Sequence, residues 1–112
     1  MYKKSKKNKV DIIMPNFNKG QYLKEAIDSV INQSYKKWKL LIIDDNSSDN
    51  SKKILKKYKS NKKISIICQS NKGLIVANNK AIKLSKGLYV MRLDADDWLD
   101  KFAVEKMAKE LH

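Results

Sequence analysis

The stretch WKLLIIDDNSSD, residues 38–49, decides the fold that this sequence predicts. Its first six residues form a short, mostly apolar run, which is typical of a buried strand. The next six, from Asp44 to Asp49, are residue types that favour turns and helix caps. The pattern predicts a strand that ends abruptly in a polar loop.

Three further apolar runs predict strands, and the segments between them have helical periodicity. The strands are predicted at 10–14, 64–68 and 88–93. Asn18 followed by Gln21 resembles a capping box, which places the start of the first helix at Asn18. The second helix is lysine-rich and is expected to pack through Ile54, Leu55 and Tyr58, and the third runs from Gly73 to about Ser85 and ends near Gly87. A last amphipathic helix follows Asp97, with Phe102, Met107 and Leu111 on its apolar side.

Strands that alternate with helices predict an α/β fold, because parallel neighbours need a crossover connection. We assume right-handed crossovers, with the chain adding strands outward on one side of the first strand and then returning to its other side. This gives a Rossmann-like parallel sheet of strand order 3-2-1-4, with helices on both faces. We expect one domain over residues 10–112 after a basic tail at 1–9. Ligands of such sheets bind outside the carboxyl ends of the strands, where the polar clusters of this sequence fall.

The composition is that of a soluble globular chain with one core: 112 residues, 42% apolar and 33% charged. No apolar run approaches the ~20 residues that span a bilayer, and Asp11 and Pro15 interrupt the only candidate signal peptide. The single cysteine, Cys68, lies in an apolar stretch and is predicted to be a buried, unpaired thiol. A cytoplasmic location is therefore expected.

A net charge of +13 favours an anionic partner, which could be nucleic acid, acidic lipid or a phosphorylated substrate. Five lysines lie in the first nine residues, and many others fall on predicted solvent faces of helices. Ordinary solvated lysine surface is the favoured alternative explanation. The tail could also make peripheral contact with anionic lipid at the inner face of a membrane.

Asp94 and Asp96 follow the fourth predicted strand. If the backbone stays extended there, both carboxylates face the same way across the small Ala95. Hard oxygen ligands of this kind favour Mg²⁺ or Mn²⁺, held together with phosphate oxygens. The alternative is that these acids cap the last helix, where negative charge is also favourable.

Two further loops carry candidate ligand contacts. Phe17 could stack on a nucleobase or simply anchor its loop. Asp45 could accept a hydrogen bond from a base ring N–H, while Asp44 could do the same or cap the next helix.

Five segments then fall in the order and spacing of a known family. They are IIMPNFN at 12–18, QSY at 33–35, LIIDDNSSD at 41–49, NKGL at 71–74 and LDADD at 93–97. Together they resemble the family 2 inverting glycosyltransferases, which have the GT-A fold. The resemblance implies a nucleoside-diphosphate sugar, often of uridine, a Mn²⁺ or Mg²⁺ cofactor and a carbohydrate or lipid-linked acceptor.

The resemblance also implies roles for single residues. Pro15, Phe17 and Asp45 would hold the nucleoside, Asp96 would be the direct metal ligand, and Asp94 would lie near the ribose or diphosphate. The nucleotide-sugar site that follows from it comprises Pro15, Phe17, Asn18, Asp44, Asp45, Lys72, Asn78, Asp94, Ala95 and Asp96.

Three departures from the family pattern matter. Asn78 stands where the family commonly has arginine, so Lys72 is the substitute contact to the donor. Asn46 replaces a turn glycine, a mild change because asparagine tolerates the left-handed region. The chain ends soon after Asp97, so we assign no catalytic base, and exposed apolar surface where a further half would dock predicts self-association.

Two rival functions use the same features. A basic nucleic-acid-binding module would explain the charge, but no helix-turn-helix, zinc or aromatic sheet signature accompanies it, so no specific nucleic acid is expected. A phosphotransfer domain of receiver type also clusters aspartates on a parallel sheet. Its key aspartate follows the first strand, where this chain has Pro15 and Asn16.

Overall fold

The computed structural model describes residues 9–84 and 89–111, with four strands and four helices among them. In chain order these are β1 (Val10–Asn16), α1 (Gly20–Ile31), β2 (Trp38–Asp44), α2 (Ser51–Lys56), β3 (Ile64–Cys68), α3 (Leu74–Leu84), β4 (Tyr89–Arg92) and α4 (Ala103–Leu111).

The four strands form one parallel sheet in the order β3-β2-β1-β4, which confirms the predicted topology. Val10 of β1 is in register with Trp38 of β2 on one side and with Tyr89 of β4 on the other. Consecutive strands of the chain are joined through a helix, because parallel strands cannot be connected by a tight hairpin. All four carboxyl ends therefore meet at one edge of the sheet.

Helices cover both faces of the sheet, as predicted. On one face Ile12 and Met14 of β1 pack with Leu23 and Ile27 of α1, and all four side chains are fully buried. On the other face a smaller cluster joins Ile13 and Ile43 to Ala77 and Ala81 of α3. Ile12 and Ile13 belong to different faces because successive side chains of a strand point to opposite sides of the sheet. Since both faces are buried, the strands are continuous apolar runs rather than alternating ones.

The last helix is held by the side chain of Gln33, which is fully buried. Its Nε2 donates to the Asp100 carbonyl at 2.6 Å, and its Oε1 accepts from the Val104 N–H at 3.1 Å. The buried side chains of α4 are Val104 and Ala108. The expectation that Phe102 packs on the apolar side of this helix is wrong. The helix begins at Ala103, the residue after Phe102, and the Phe102 side chain remains 46% exposed. The side chain of Leu111 lies outside the described residues.

Two other expectations are corrected. Helix α1 begins at Gly20 rather than after an Asn18 cap, because Asn18 has φ of 52° and uses its side chain elsewhere. Cys68 is exposed, since it is the last residue of an edge strand. Gly87, expected at the end of the third helix, lies outside the described residues. Among the described helices, none is both long and apolar enough to cross a bilayer.

Candidate functional site

The loops that follow β1 and β2 are joined by a buried polar network at the carboxyl edge of the sheet. Asn16, fully buried at the end of β1, donates from Nδ2 to Asp44 Oδ1 at 2.8 Å and to Ser47 Oγ at 3.2 Å. The Ser47 hydroxyl donates to Asp44 Oδ1 at 2.6 Å, and the Ser47 N–H donates to Asp44 Oδ2 at 3.1 Å. Buried polar groups are stable only when they are paired in this way.

Asp44 therefore has a structural role. Its carboxylate is completely buried and both of its oxygens accept hydrogen bonds from the protein. The sequence left open a base contact or a cap on the next helix for this residue. Its hydrogen bonds hold the loop after β2 and do not reach the next helix, which begins at Ser51.

Asn18 and Asp49 fasten the same two loops from the solvent side. The Asn18 Oδ1 accepts from the backbone N–H groups of Ser48 at 2.8 Å and Asp49 at 3.2 Å. In return, Asp49 Oδ2 accepts from the Gly20 N–H at 2.8 Å, so the first turn of α1 is capped by a residue from another loop. Burial raises the pKa of Asp49, but hydrogen bonds from Ser51 and Gly20 outweigh it and leave the pKa below its ordinary value.

Asp45 connects the loop after β2 to the loop after β3. Its Oδ1 accepts from Gln69 Nε2 at 2.9 Å and from the Lys72 N–H at 2.7 Å, and its Oδ2 accepts from the Gly73 N–H at 2.9 Å. Burial raises the pKa of this carboxyl, but these three donors outweigh that effect and lower it overall. Asp45 is thus an ionised acceptor that is only 5% exposed.

Two asparagines in the left-handed region complete this junction. Asn46 has φ of 55° and Asn71 has φ of 40°, and Asn46 Nδ2 donates to Asn71 Oδ1 at 2.9 Å. The prediction that Asn46 tolerates the position of a turn glycine is confirmed. The free energy cost of the positive φ is reduced because short polar side chains bond locally.

The acidic segment after β4 forms a turn, which corrects one premise of the sequence analysis. The strand ends at Arg92, and the Asp97 N–H donates to the Asp94 carbonyl at 3.0 Å, so Ala95 and Asp96 occupy a tight turn. The extended backbone assumed for Asp94 and Asp96 is wrong. Turns follow short edge strands readily because the ladder no longer constrains the chain.

Each of the two carboxylates has its own basic neighbour. Asp94 Oδ1 accepts from Arg92 Nε at 2.9 Å, whereas Asp96 Oδ2 lies 3.6 Å from Lys19 Nζ. Both carboxylates are well exposed to solvent. Because Lys19 belongs to the loop after β1, the ion pair of Lys19 with Asp96 joins that loop to the loop after β4.

These acids suit a metal that is shared with a ligand rather than one resident in the protein. No group of three or more acidic, histidine or cysteine side chains suited to a metal occurs within residues 9–84 and 89–111. Magnesium is commonly held by one or two carboxylates together with phosphate oxygens, and Asp94 and Asp96 fit that arrangement. Both are accessible, and surface ion pairs such as theirs are weak enough to exchange.

The remaining predicted residues lie around the same edge. Pro15 and Ala95 are buried, Phe17 is 39% exposed, and Lys72 is exposed beside the Asp45 junction. Asn78 lies in the second turn of α3, and its Oδ1 is buried with no hydrogen-bond partner among residues 9–84 and 89–111.

Several residues of the site escaped the sequence analysis as individual contributors: Asn16, Lys19, Ser47, Asp49, Gln69 and Gly73. Asn16, Ser47 and Asp49 do stand in polar runs that follow apolar ones, and this signal could have identified them. Gln69 and Lys19 carry no such signal, because their roles depend on which loops face each other.

Comparison with known proteins gives one family. The family model described as "Glycosyl transferase family 2" matches residues 11–112. A teichuronic acid biosynthesis glycosyltransferase of Bacillus subtilis, TuaG, described there as putative, is 36% identical over 104 residues. The poly(ribitol-phosphate) beta-N-acetylglucosaminyltransferase TarP of Staphylococcus aureus is 40% identical over 103 residues. Among solved structures, residues 1–349 of S. aureus TarS in complex with UDP superpose with a TM-score of 0.83 at 27% identity.

The match covers most of this chain but less than half of each relative. The aligned part is 91% of this chain and 40% of TuaG, and 88% of this chain and 32% of TarP. For TarS it is 90% of this chain and 31% of the crystallised one. The shared region is the parallel sheet with the loops at its carboxyl edge.

Proposed function

Because the chain belongs to glycosyl transferase family 2, we propose that it binds a nucleoside-diphosphate sugar, UDP-linked, at the carboxyl edge of its sheet. The observation that carries the proposal is the linkage of the four loops at that edge by Asn16 with Asp44, Asp45 with Gly73, and Lys19 with Asp96. A solved relative that holds UDP on the same fold supports the nucleotide. The proposed reaction is transfer of the sugar, with inversion, to an acceptor hydroxyl.

The nucleoside end of the ligand would lie between Phe17 and Asp45. Phe17 offers a partly exposed ring, and base stacking on an aromatic side chain is worth about 1 to 3 kcal/mol. A carboxylate has about four acceptor positions, of which three on Asp45 are filled by the protein. The remaining position, on Oδ2, suits the ring N–H of a uracil, and the lowered pKa of Asp45 keeps it an acceptor.

The diphosphate would lie towards the turn after β4, near Asp94 and Asp96. These two carboxylates would hold a Mn²⁺ or Mg²⁺ ion, which when bound neutralises the charge of the departing diphosphate. Lys19, now paired with Asp96, would be free to contact a phosphate oxygen once a cation takes its place. Lys72 is a second candidate contact, in place of the arginine of the family pattern.

The acceptor is proposed only as a class. TarP is named for transfer to poly(ribitol-phosphate) and TuaG for teichuronic acid biosynthesis, so a carbohydrate or lipid-linked acceptor is the corresponding proposal here. Because the chain spans 40% of TuaG, we assign it donor binding and assign no catalytic base.

Calorimetric titration with UDP, with and without Mn²⁺, tests the proposal on the folded chain. We expect measurable heat that depends on the metal and a rise in melting temperature, because ligand at 100 times its Kd adds about 2.7 kcal/mol to stability. A folded sample that gives neither heat nor a thermal shift at millimolar UDP and Mn²⁺ would overturn it.

A further inference from the structure

Lysines precede the first three strands of the sheet. Lys9 comes directly before β1. Two lysines come directly before β2 and two before β3: Lys36 and Lys37, and Lys62 and Lys63. Because the strands are parallel, all five lie at the amino edge, and we call this set the lysine rim.

The backbone ladder fixes the neighbours within the lysine rim. The Lys37 carbonyl accepts from the Val10 N–H at 2.9 Å, and the Lys63 carbonyl accepts from the Leu40 N–H at 2.9 Å. Lys9 and Lys37 precede the paired residues Val10 and Trp38, so they lie side by side at the strand spacing of about 4.8 Å. Lys63 precedes Ile64, the partner of Leu40, so its backbone is level with Lys39, and its Nζ reaches back to donate to the Lys36 carbonyl.

The charges of the lysine rim are largely uncompensated. None of the five takes part in an ion pair within the part of the chain that the structure describes. Lys36, Lys37 and Lys62 are exposed, whereas Lys63 lies over the Trp38 ring with Nζ 4.0 Å from its centre. Burial and then the charge of Lys36 lower the pKa of Lys63, which is the expected effect of crowding like charges. Two acids lie near this edge. Glu105 is engaged by Ser34 and Lys109, and Asp11 lines the same pocket as Lys9, which makes Lys9 the rim lysine with a carboxylate close by.

The lysine rim lies at the opposite end of the sheet from the candidate donor site. The strand β1 has seven residues, and at about 3.3 Å each the two edges are separated by roughly 23 Å. A small donor cannot touch both edges. The rim therefore has no part in the site proposed above.

Apolar side chains flank the lysine rim. Helix α3 runs back from the carboxyl edge, so its last turn lies at the amino edge, where Ile82 is 56% and Leu84 is 47% exposed. Leu84 lines a pocket together with Lys9, Lys39 and the carboxylate residue Asp11. Basic groups beside protruding aliphatic side chains are the combination that binds the interface of an anionic bilayer.

We propose that the lysine rim is a docking surface for an anionic lipid bilayer. The five lysines contact lipid phosphates, Ile82 and Leu84 reach into the headgroup layer, and the carboxyl edge faces away from the membrane. A nucleic acid is less well matched, because the side chains that α3 exposes beside the rim are the aliphatic Ile82 and Leu84, which offer no ring for a base to stack on. The lysine-rich segment that precedes Lys9 adds to the same charge.

Vesicle flotation of the full chain tests this surface. The probes are vesicles of phosphatidylcholine alone and of phosphatidylcholine with phosphatidylglycerol in equal parts. The rim variant combines Lys36→Gln, Lys37→Gln and Lys62→Gln, whose side chains have no described partner. The matched control combines Lys24→Gln, Lys53→Gln and Lys80→Gln, which removes the same charge from exposed helix positions.

We expect binding to the anionic vesicles only, and about a hundredfold weaker binding by the rim variant, because each lysine near the surface contributes a factor of about five. The control should lose much less, and circular dichroism should show both variants folded. Equal losses in the two variants, or no binding of the parent chain, would overturn the proposal. Binding to random duplex DNA that depends on the rim, by a chain that does not bind vesicles, would also overturn it. UDP titration of the rim variant reports on the donor site separately, and we expect it to be unchanged.

Discussion

The carboxylate of Asp45 accepts a hydrogen bond from the backbone N–H of Gly73 at 2.9 Å, across 28 residues of sequence. This contact fixes the loop after β3 to the end of β2 and sets where helix α3 begins. One acidic residue thus shapes the wall of the candidate site, and in the proposed donor complex its remaining lone pair would face the ligand.

Replacing Asp45 by Asn should weaken both properties. The amide turns one acceptor into a donor that faces backbone N–H groups, and hydrogen bonds to a charged group contribute about 1.5 to 3 kcal/mol each. We expect the free energy of unfolding to fall by about 2 kcal/mol and UDP binding to be lost. Urea unfolding and calorimetry measure the two effects. Glu25→Gln, at an exposed position of α1, is the control and should change neither.

The neighbouring acids Asp96 and Asp97 offer a matched pair. Asp96→Asn should abolish most of the effect of Mn²⁺ on UDP affinity, a loss of about tenfold or more, equivalent to about 1.4 kcal/mol. Asp97→Asn should keep the metal effect, because its Oδ1 accepts from the Trp98 N–H and has no proposed ligand role. Titrations of both variants with and without Mn²⁺ make the comparison. Equal loss in the two would remove the assignment of Asp96.

Acid should unfold the chain through the loops of the candidate site. The folded pKa values of Asp45 and Asp49 lie below the ordinary 3.8, so both stabilise the fold fully above that value. This contribution is lost as the pH falls through the lower, folded pKa values. Urea unfolding at a series of pH values should show the decrease, and Asp49→Asn should make it shallower. An identical pH profile in that variant would argue against the hydrogen bonds of Asp49 as the cause.

The left-handed turn at Asn46 predicts a difference between two small substitutions. Asn46→Ala places a β-carbon at a φ of 55° and removes the bond to Asn71, so we expect a loss of about 1 to 2 kcal/mol. Asn46→Gly removes the same bond but relieves the backbone, and should be clearly the more stable of the two. Thermal unfolding of both variants measures the gap. Equal stability would mean that the positive φ carries no cost here.

The order of the strands could be predicted because it depends on local patterns and general rules. Apolar runs such as Leu40 to Ile43 are buried on both faces of the sheet, and right-handed crossovers leave few arrangements for them. The same reasoning brought Asn16, Asp45 and Asp94 to one edge. What it could not supply was the partner of each side chain.

The failures share a physical cause. Asn18 does not cap its own helix because its Oδ1 accepts from the N–H groups of Ser48 and Asp49 instead. These donors are about 30 residues away in sequence but adjacent in the fold. The Asp94 to Asp97 turn forms because β4 stops at Arg92, one residue short of the predicted strand end. Side-chain contacts of this kind depend on tertiary proximity, which a residue pattern does not encode.

The pairing of Val10 with Tyr89 has a consequence for how the chain is made. Strand β1 is synthesised before the other three strands of the sheet, yet one of its two neighbours, β4, is synthesised after all of them. Without hairpins, loop closure must precede every strand pair, and such topologies fold slowly. Until β4 arrives, one side of the first strand lacks its backbone partners, and a nascent chain stalled there should be a good substrate for holding chaperones.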